Sequence, residues 1–201
     1  MDVEVARQHV TARLEREFDG RFDTQTVDRF VDQAFAELAD HSAVMNWVPV
    51  LAERYARQQL QALARFEGHP DDLPIVLFVD THDAGRSQLA RALFERHCAG
   101  RAHSWSGGVE PATAIDAGVA ATLGELEIDL AHEFPKPVTD EIIASADIVV
   151  FFAEPPMTVR AGTRVVTWPT PPLDGLSDDE LSAVRDELDR SAAQLAADLS
   201  D

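Results

Sequence analysis

Residues 75 to 90 read Ile-Val-Leu-Phe-Val-Asp-Thr-His-Asp-Ala-Gly-Arg-Ser-Gln-Leu-Ala. The apolar, β-type run Ile75 to Val79 enters a short polar turn, and the turn opens into helical spacing with Ala84, Leu89, Ala90 and Leu93 on one face. A strand, a loop and a helix start in that order leave backbone N–H groups pointing inward at the positive end of a helix dipole, and Arg86 adds a planar five-donor fork. Thr81, His82, Asp83, Ala84, Gly85, Arg86 and Ser87 thus form an anion-binding loop, suited to a tetrahedral oxyanion.

The alternation continues along the chain. Strands are expected near 75–79, 102–106, 147–152 and 164–167, with helices near 87–99, 112–123, 139–145 and 177–199. Such alternation implies right-handed crossovers and an α/β fold, a doubly wound four-stranded parallel sheet that binds ligands beyond the carboxyl ends of its strands. The loop at 80–86 sits at one such end. Upstream the spacing is helical: Val3, Ala6, Val10 and Leu14 share one face, as do Val27, Phe30, Val31, Phe35 and Leu38, then Trp47, Leu51, Tyr55 and Leu63. Breaks at Asp19-Gly20 and Asp40-His41-Ser42 divide this stretch into three helices, with Thr24 or Thr26 capping the second, Ser42 the third, and Pro49 in a first turn. Glu67-Gly68-His69-Pro70-Asp71-Asp72 reads as a linker, so a helical domain over 1–68 precedes the sheet domain over 74–201.

The loop and its surroundings resemble the low-molecular-weight protein tyrosine phosphatases and, more closely, the thiol-dependent arsenate reductases built on the same fold. Their loop runs Cys, five residues, Arg, Ser, and the reductases continue Gln, hydrophobic, Ala; Arg86-Ser87-Gln88-Leu89-Ala90 keeps this second half. Ser106-Gly107-Gly108 with Pro111 is similar to the family's Ser-Ala-Gly and following proline, and Phe134-Pro135-Lys136-Pro137-Val138 resembles its Pro-Lys-Pro stretch. The helical unit resembles the amino-terminal extensions of some arsenate-reductase-like proteins.

Against that pattern, Asp80 stands where the resemblance implies a catalytic cysteine, and Asp83 stands at a usual asparagine. The family's general-acid aspartate lies in a Trp-x-x-Pro-Asp-Pro segment; here Trp168-Pro169-Thr170-Pro171-Pro172 puts Pro172 at its place. The resolving cysteines of the reductases would follow Phe151-Phe152-Ala153-Glu154, where there is none. The resemblance therefore implies a member without thiol chemistry, a catalytically inactive binding or regulatory module with a degenerate oxyanion loop and no cofactor.

Two alternatives remain open on the residues. A carboxylate attacks phosphorus in aspartyl-phosphate enzymes, which use Mg²⁺ to neutralise charge, so Asp80 is a candidate nucleophile and Asp80 with Asp83 a candidate metal pair. Alternatively, Arg86 and Ser87 serve a reversible phosphate or arsenate sensor. The inactive reading takes Asp80 as a built-in anion that accepts hydrogen bonds from the loop amides or Arg86, and Asp83 as a turn or cap residue beside Ser87. His82 reads as a solvated side chain, Cys98 as a structural thiol, and Asp174 as part of a Leu173-Asp174-Gly175 turn.

Charge narrows the partners. Thirty-six acidic against seventeen basic residues give a formal net charge of -19, and Lys136 is the one lysine. A surface this negative repels nucleic acid and anionic lipid, leaving an oxyanion ligand or a protein partner. A single cysteine and the absence of an apolar leader point to the cytoplasm. The acidity fits either life at high salt or arginine-favouring codon usage. Trp47 and Tyr55 belong to a bundle core or to a partner groove, and aromatic stripes at this spacing favour the core.

Overall fold

The protein is described from a computed structural model covering residues 3–40, 48–68, 73–128 and 133–199. It divides into two compact units, Met1–Asp71 with Ala131–Glu133, and Asp72–Leu130 with Phe134–Asp201.

In the first unit, α1 (Val3–Glu17), α2 (Thr24–Asp40) and α3 (Val48–Phe66) bury most of the stripes that their spacing predicts, including Val10, Leu14, Val27, Val31, Leu38, Leu51 and Tyr55, while the predicted Phe30 and Leu63 are half-buried and Leu60, outside the predicted stripe, is buried. Tyr55 is core, whereas Val3 is exposed. Pro49 occupies the first turn of α3, where its missing N–H costs nothing. The cap of α2 differs from expectation: Asp23, not Thr24 or Thr26, accepts the Thr26 amide at 2.8 Å, because a carboxylate just ahead of the helix reaches the free N–H groups of its first turn. Ser42 and Trp47 lie outside the described residues.

Arginines staple this unit: Arg7 bonds Glu4 and Asp32, Arg13 bonds Glu53, and Arg57 bonds Glu17 and Glu53. Exposed pairs of this kind contribute about 0–1 kcal/mol each and are weakened by salt. The surplus of negative charge acts the other way, since shrinking the Debye length from ~10 Å at 0.1 M to ~3 Å at 1 M relieves its self-repulsion. With acids outnumbering bases two to one, relief should win. The thermal midpoint is therefore expected to rise between dilute and molar KCl; a flat or falling midpoint would remove the high-salt interpretation of the composition.

In the second unit, β1 (Ile75–Asp80), β2 (His103–Gly108), β3 (Ile148–Phe151) and β4 (Arg164–Thr167) form one all-parallel sheet in the order β2-β1-β3-β4. The central strand β1 is the continuous apolar run, buried from Ile75 to Val79, as a strand enclosed on both faces must be. Val76 and Phe78 join Val150 and Phe152 in a core with Leu89, Leu93 and Phe94 of α4 (Arg86–Cys98) and Leu188, Ala192 and Leu195 of α7 (Asp178–Asp198). Caps close the remaining helices: Thr139 ahead of α6 (Asp140–Ser145), and a Ser177–Glu180 capping box on α7.

One helix starts later than its spacing predicts. Helix α5 spans Ala117–Glu125 rather than 112–123, and Asp116 caps it by accepting the Gly118 and Val119 amides. Residues 109–116 are drawn elsewhere: the amides of Val109, Glu110, Ala112 and Asp116 donate to the carbonyls of Asp80, Thr81, His82 and Ala84. A tertiary claim on those donors outcompetes the local helix.

Candidate oxyanion site

The carbonyls of residues 80, 81, 82 and 84 are held outward by the 109–116 segment, so the loop amides turn inward. The carboxylate of Asp80, at the end of β1, sits among them. Its Oδ1 accepts the amides of His82 at 3.0 Å and Asp83 at 2.6 Å, and its Oδ2 accepts the Ser87 amide at 3.2 Å. These are charge-assisted bonds to donors at a helix start.

Gly108 permits this packing. A Cβ built there would lie 2.8 Å from the Asp83 nitrogen and the His82 carbonyl carbon and 3.0 Å from the Thr81 oxygen, so β2 must end in a residue without a side chain. Gly108 also exchanges backbone hydrogen bonds with the Phe134–Val138 strap, donating to Lys136 O and accepting from Val138 N.

Asp83 plays a longer-range part than the turn or cap expected of it. No side chain caps α4 at Gly85. Asp83 has φ 47°, in the left-handed region, and is fully buried. Its Oδ1 accepts the Ser87 hydroxyl at 2.9 Å, and its Oδ2 accepts the Lys136 amide at 2.8 Å with the Lys136 ammonium 3.7 Å away. Burial pushes its carboxyl up to about 6, against the opposing pull of Lys136 and of the hydrogen bond from Ser87. Lys136 is itself buried, donating to Phe134 O and lying over the Phe134 ring. Local sequence patterns do not assign Lys136 this place beside the loop; the one signal they carry is a lone lysine set between two prolines.

Arg86 bonds neither aspartate among the described residues. Its Nη1 donates to Thr170 O at 2.8 Å and its guanidinium lies over the Phe152 ring, so it ties the loop to the Trp168–Pro172 segment. Pro172, at the place of the family's acid, is exposed. Asp174 is also exposed, in a turn where Gly175 takes φ 76° and Leu176 N donates to Leu173 O. Thr81 and His82 are exposed, with the His82 ring 2.9 Å from Glu110 O, while Ala84 and Gly85 are half-buried. Cys98 is buried at the far end of the 13-residue α4, ~20 Å from its start at 1.5 Å per residue. That distance removes it from the loop.

Among the described residues no three His, Cys, Asp or Glu side chains are grouped to hold a metal ion. Nor is any described helix long and apolar enough to cross a membrane.

Comparison with known proteins agrees with this geometry. Residues 75–158 match the low molecular weight phosphotyrosine protein phosphatase family, and residues 8–64 match the protein-tyrosine-phosphatase-like N-terminal domain. A thioredoxin-dependent arsenate reductase from Corynebacterium glutamicum superposes with a TM-score of 0.79 at 27% identity, covering 100% of this chain and 98% of that one. An arsenate reductase from Archaeoglobus fulgidus gives a TM-score of 0.53 at 25% identity over 61% of this chain and 98% of that one. A putative arsenate reductase of Halobacterium salinarum is 28% identical over 124 residues, 59% of this chain and 87% of the relative. With the strand-loop-helix, the parallel sheet and the preceding helical unit all matched, residues 75–158 of this chain carry the domain of the low molecular weight phosphotyrosine protein phosphatase family, and the chain is similar to arsenate reductases built on it.

Proposed function

We propose that this protein is a member of the family without thiol chemistry, a binding or regulatory module whose oxyanion loop is occupied by its own aspartate. The observation that carries the reading is the Asp80 carboxylate accepting the amides of His82, Asp83 and Ser87. A thiolate works in such a loop because it is polarizable and leaves easily; a carboxylate already bonded to three amides shares neither advantage. Pro172 offers no proton to a leaving group, and Cys98 lies at the wrong end of α4.

A second reading, a reversible oxyanion sensor, draws on the amides of Ala84, Gly85 and Arg86, which take no acceptor among the described residues. An incoming anion would meet those donors first and then contend with Asp80 for the others.

Calorimetric titration with phosphate separates the two. The unmodified protein is expected to bind weakly or not at all, and Asp80→Ala to bind measurably. Tight binding by the unmodified protein would favour the sensor. No binding by a folded Asp80→Ala variant would sink the self-occupied loop. Arsenate reduction with a thiol donor, and metal-free aryl phosphate hydrolysis, are expected to be absent; turnover that survives Cys98→Ala and is lost in Asp80→Ala would instead favour carboxylate catalysis.

A further inference from the structure

Where α7 covers the edge strand β4, two periodicities converge on one groove. Arg164 and Val166 of β4, with Trp168 just beyond it, share a face at period two, and Glu187, Arg190, Gln194 and Asp198 share a face of α7 at helical spacing. Between them lies a cavity of 430 Å³, a size suited to a small molecule. Its floor is apolar: Leu195 is buried, while Val166 and Trp168 are half-buried and keep surface open to a ligand. Packing holds Trp168 in place, with its ring 5.8 Å from Phe78 and 6.4 Å from Phe152.

The two ends of the groove differ. At one end Arg164 Nη2 donates to Asp198 Oδ2 at 3.0 Å and Gln194 Nε2 donates to Asp198 Oδ1 at 2.9 Å, so the charges there satisfy one another. At the other end Arg190 gives only its Nε, to Asp186 O at 3.1 Å; among the described residues its Nη groups meet no acceptor and the Glu187 carboxylate meets no donor. Three residues apart on one helix, these two side chains are neighbours, so a guanidinium and a carboxylate stand side by side at the rim of the apolar floor. We propose that the groove binds a free α-amino acid with an apolar side chain: its carboxylate on the Arg190 Nη groups, its ammonium on Glu187, and its side chain on Trp168, Val166 and Leu195. A free amino acid carries both charges on one carbon, whereas a peptide end carries one of them. A net charge of -19 disfavours ligands that are anionic overall, a penalty that a zwitterion escapes. This site is separate from the cradle and does not depend on Asp80 occupying it.

Three probes test it on the full chain: L-leucine, N-acetyl-L-leucine, which lacks the ammonium, and L-leucinamide, which lacks the carboxylate. At about pH 6.5 the free amines are protonated. NMR titration follows the Trp168 indole N–H, assigned with Trp168→Phe. L-leucine is expected to shift it with a dissociation constant of about 1 mM, and each blocked probe to bind roughly fivefold more weakly, the loss of one exposed charge pair. The substitutions should cross. Arg190→Ala should weaken L-leucine and N-acetyl-L-leucine but not L-leucinamide, and Glu187→Gln should weaken L-leucine and L-leucinamide but not N-acetyl-L-leucine. Both positions are exposed on α7, so both variants should fold. No shift of Trp168 up to about 20 mM L-leucine, far above that constant, would overturn the proposal. So would equal binding of the three probes, or losses that do not follow the charge each variant removes.

Discussion

Asp83→Ala is expected to destabilise the sheet domain by about 3–5 kcal/mol near neutral pH, the usual cost of removing one partner from a buried ion pair. The substitution strips the acceptor from the Ser87 hydroxyl and the Lys136 amide and leaves the Lys136 ammonium without its carboxylate. It also places alanine at φ 47°, a conformation aspartate tolerates better. Replacing both members, as in Asp83→Leu/Lys136→Met, should cost much less than the single change, because a buried pair is poor at stabilising yet expensive to break. Denaturant unfolding of the two variants decides this; equal losses would mean the pair is not coupled.

The same pair sets a pH dependence with a definite sign. The folded-state Asp83 carboxyl is raised to about 6 from an ordinary value of 3.8, so the folded protein binds this proton more readily than the unfolded chain. Stability from this group accordingly increases as pH falls from about 6 toward about 4 and is lost as pH rises through about 6. Carboxyls held low, such as Glu53 between Arg13 and Arg57, act oppositely and withdraw stability only at lower pH. Chemical denaturation between about pH 7.5 and about pH 5 should therefore show increasing stability, with a shallower slope in Asp83→Asn.

Gly108→Ala should rank with these changes, at about 3 kcal/mol or more. The new methyl would meet backbone atoms of His82 and Asp83 at 2.8 Å, and overpacking against backbone cannot be relieved by a rotamer change. Because those atoms frame the cradle, the loop amides should be displaced along with the loss of stability. Amide exchange of His82, Asp83 and Ser87 is the measurement; protection unchanged from the unmodified protein would show that the close approach of β2 does not hold the loop.

Much of this arrangement is legible in local patterns. The run Ile75 to Val79 is too apolar for an exposed strand, so its burial in the sheet centre follows from composition, and the polar turn with Arg86 and Ser87 announces a loop of inward donors. The helical stripes of the first unit are legible in the same way, since the period that buries one face is written in the residues themselves.

Partners distant in sequence are not legible. Nothing local tells Asp83 that a lysine 53 residues on will donate its backbone amide to it, or tells Arg86 to reach a carbonyl 84 residues away rather than the neighbouring carboxylate. The late start of α5 has the same origin: the 109–116 amides had helical spacing available, but the outward carbonyls of the loop offered acceptors that only the folded sheet brings alongside. The sequence alone determined the elements, their order and the donor-rich loop, because periodicity and turn chemistry act over a few residues. The tertiary structure decided which buried charge faces which, because that depends on the register of β2 against β1 and of the strap against β2, and on desolvation that no single segment achieves by itself.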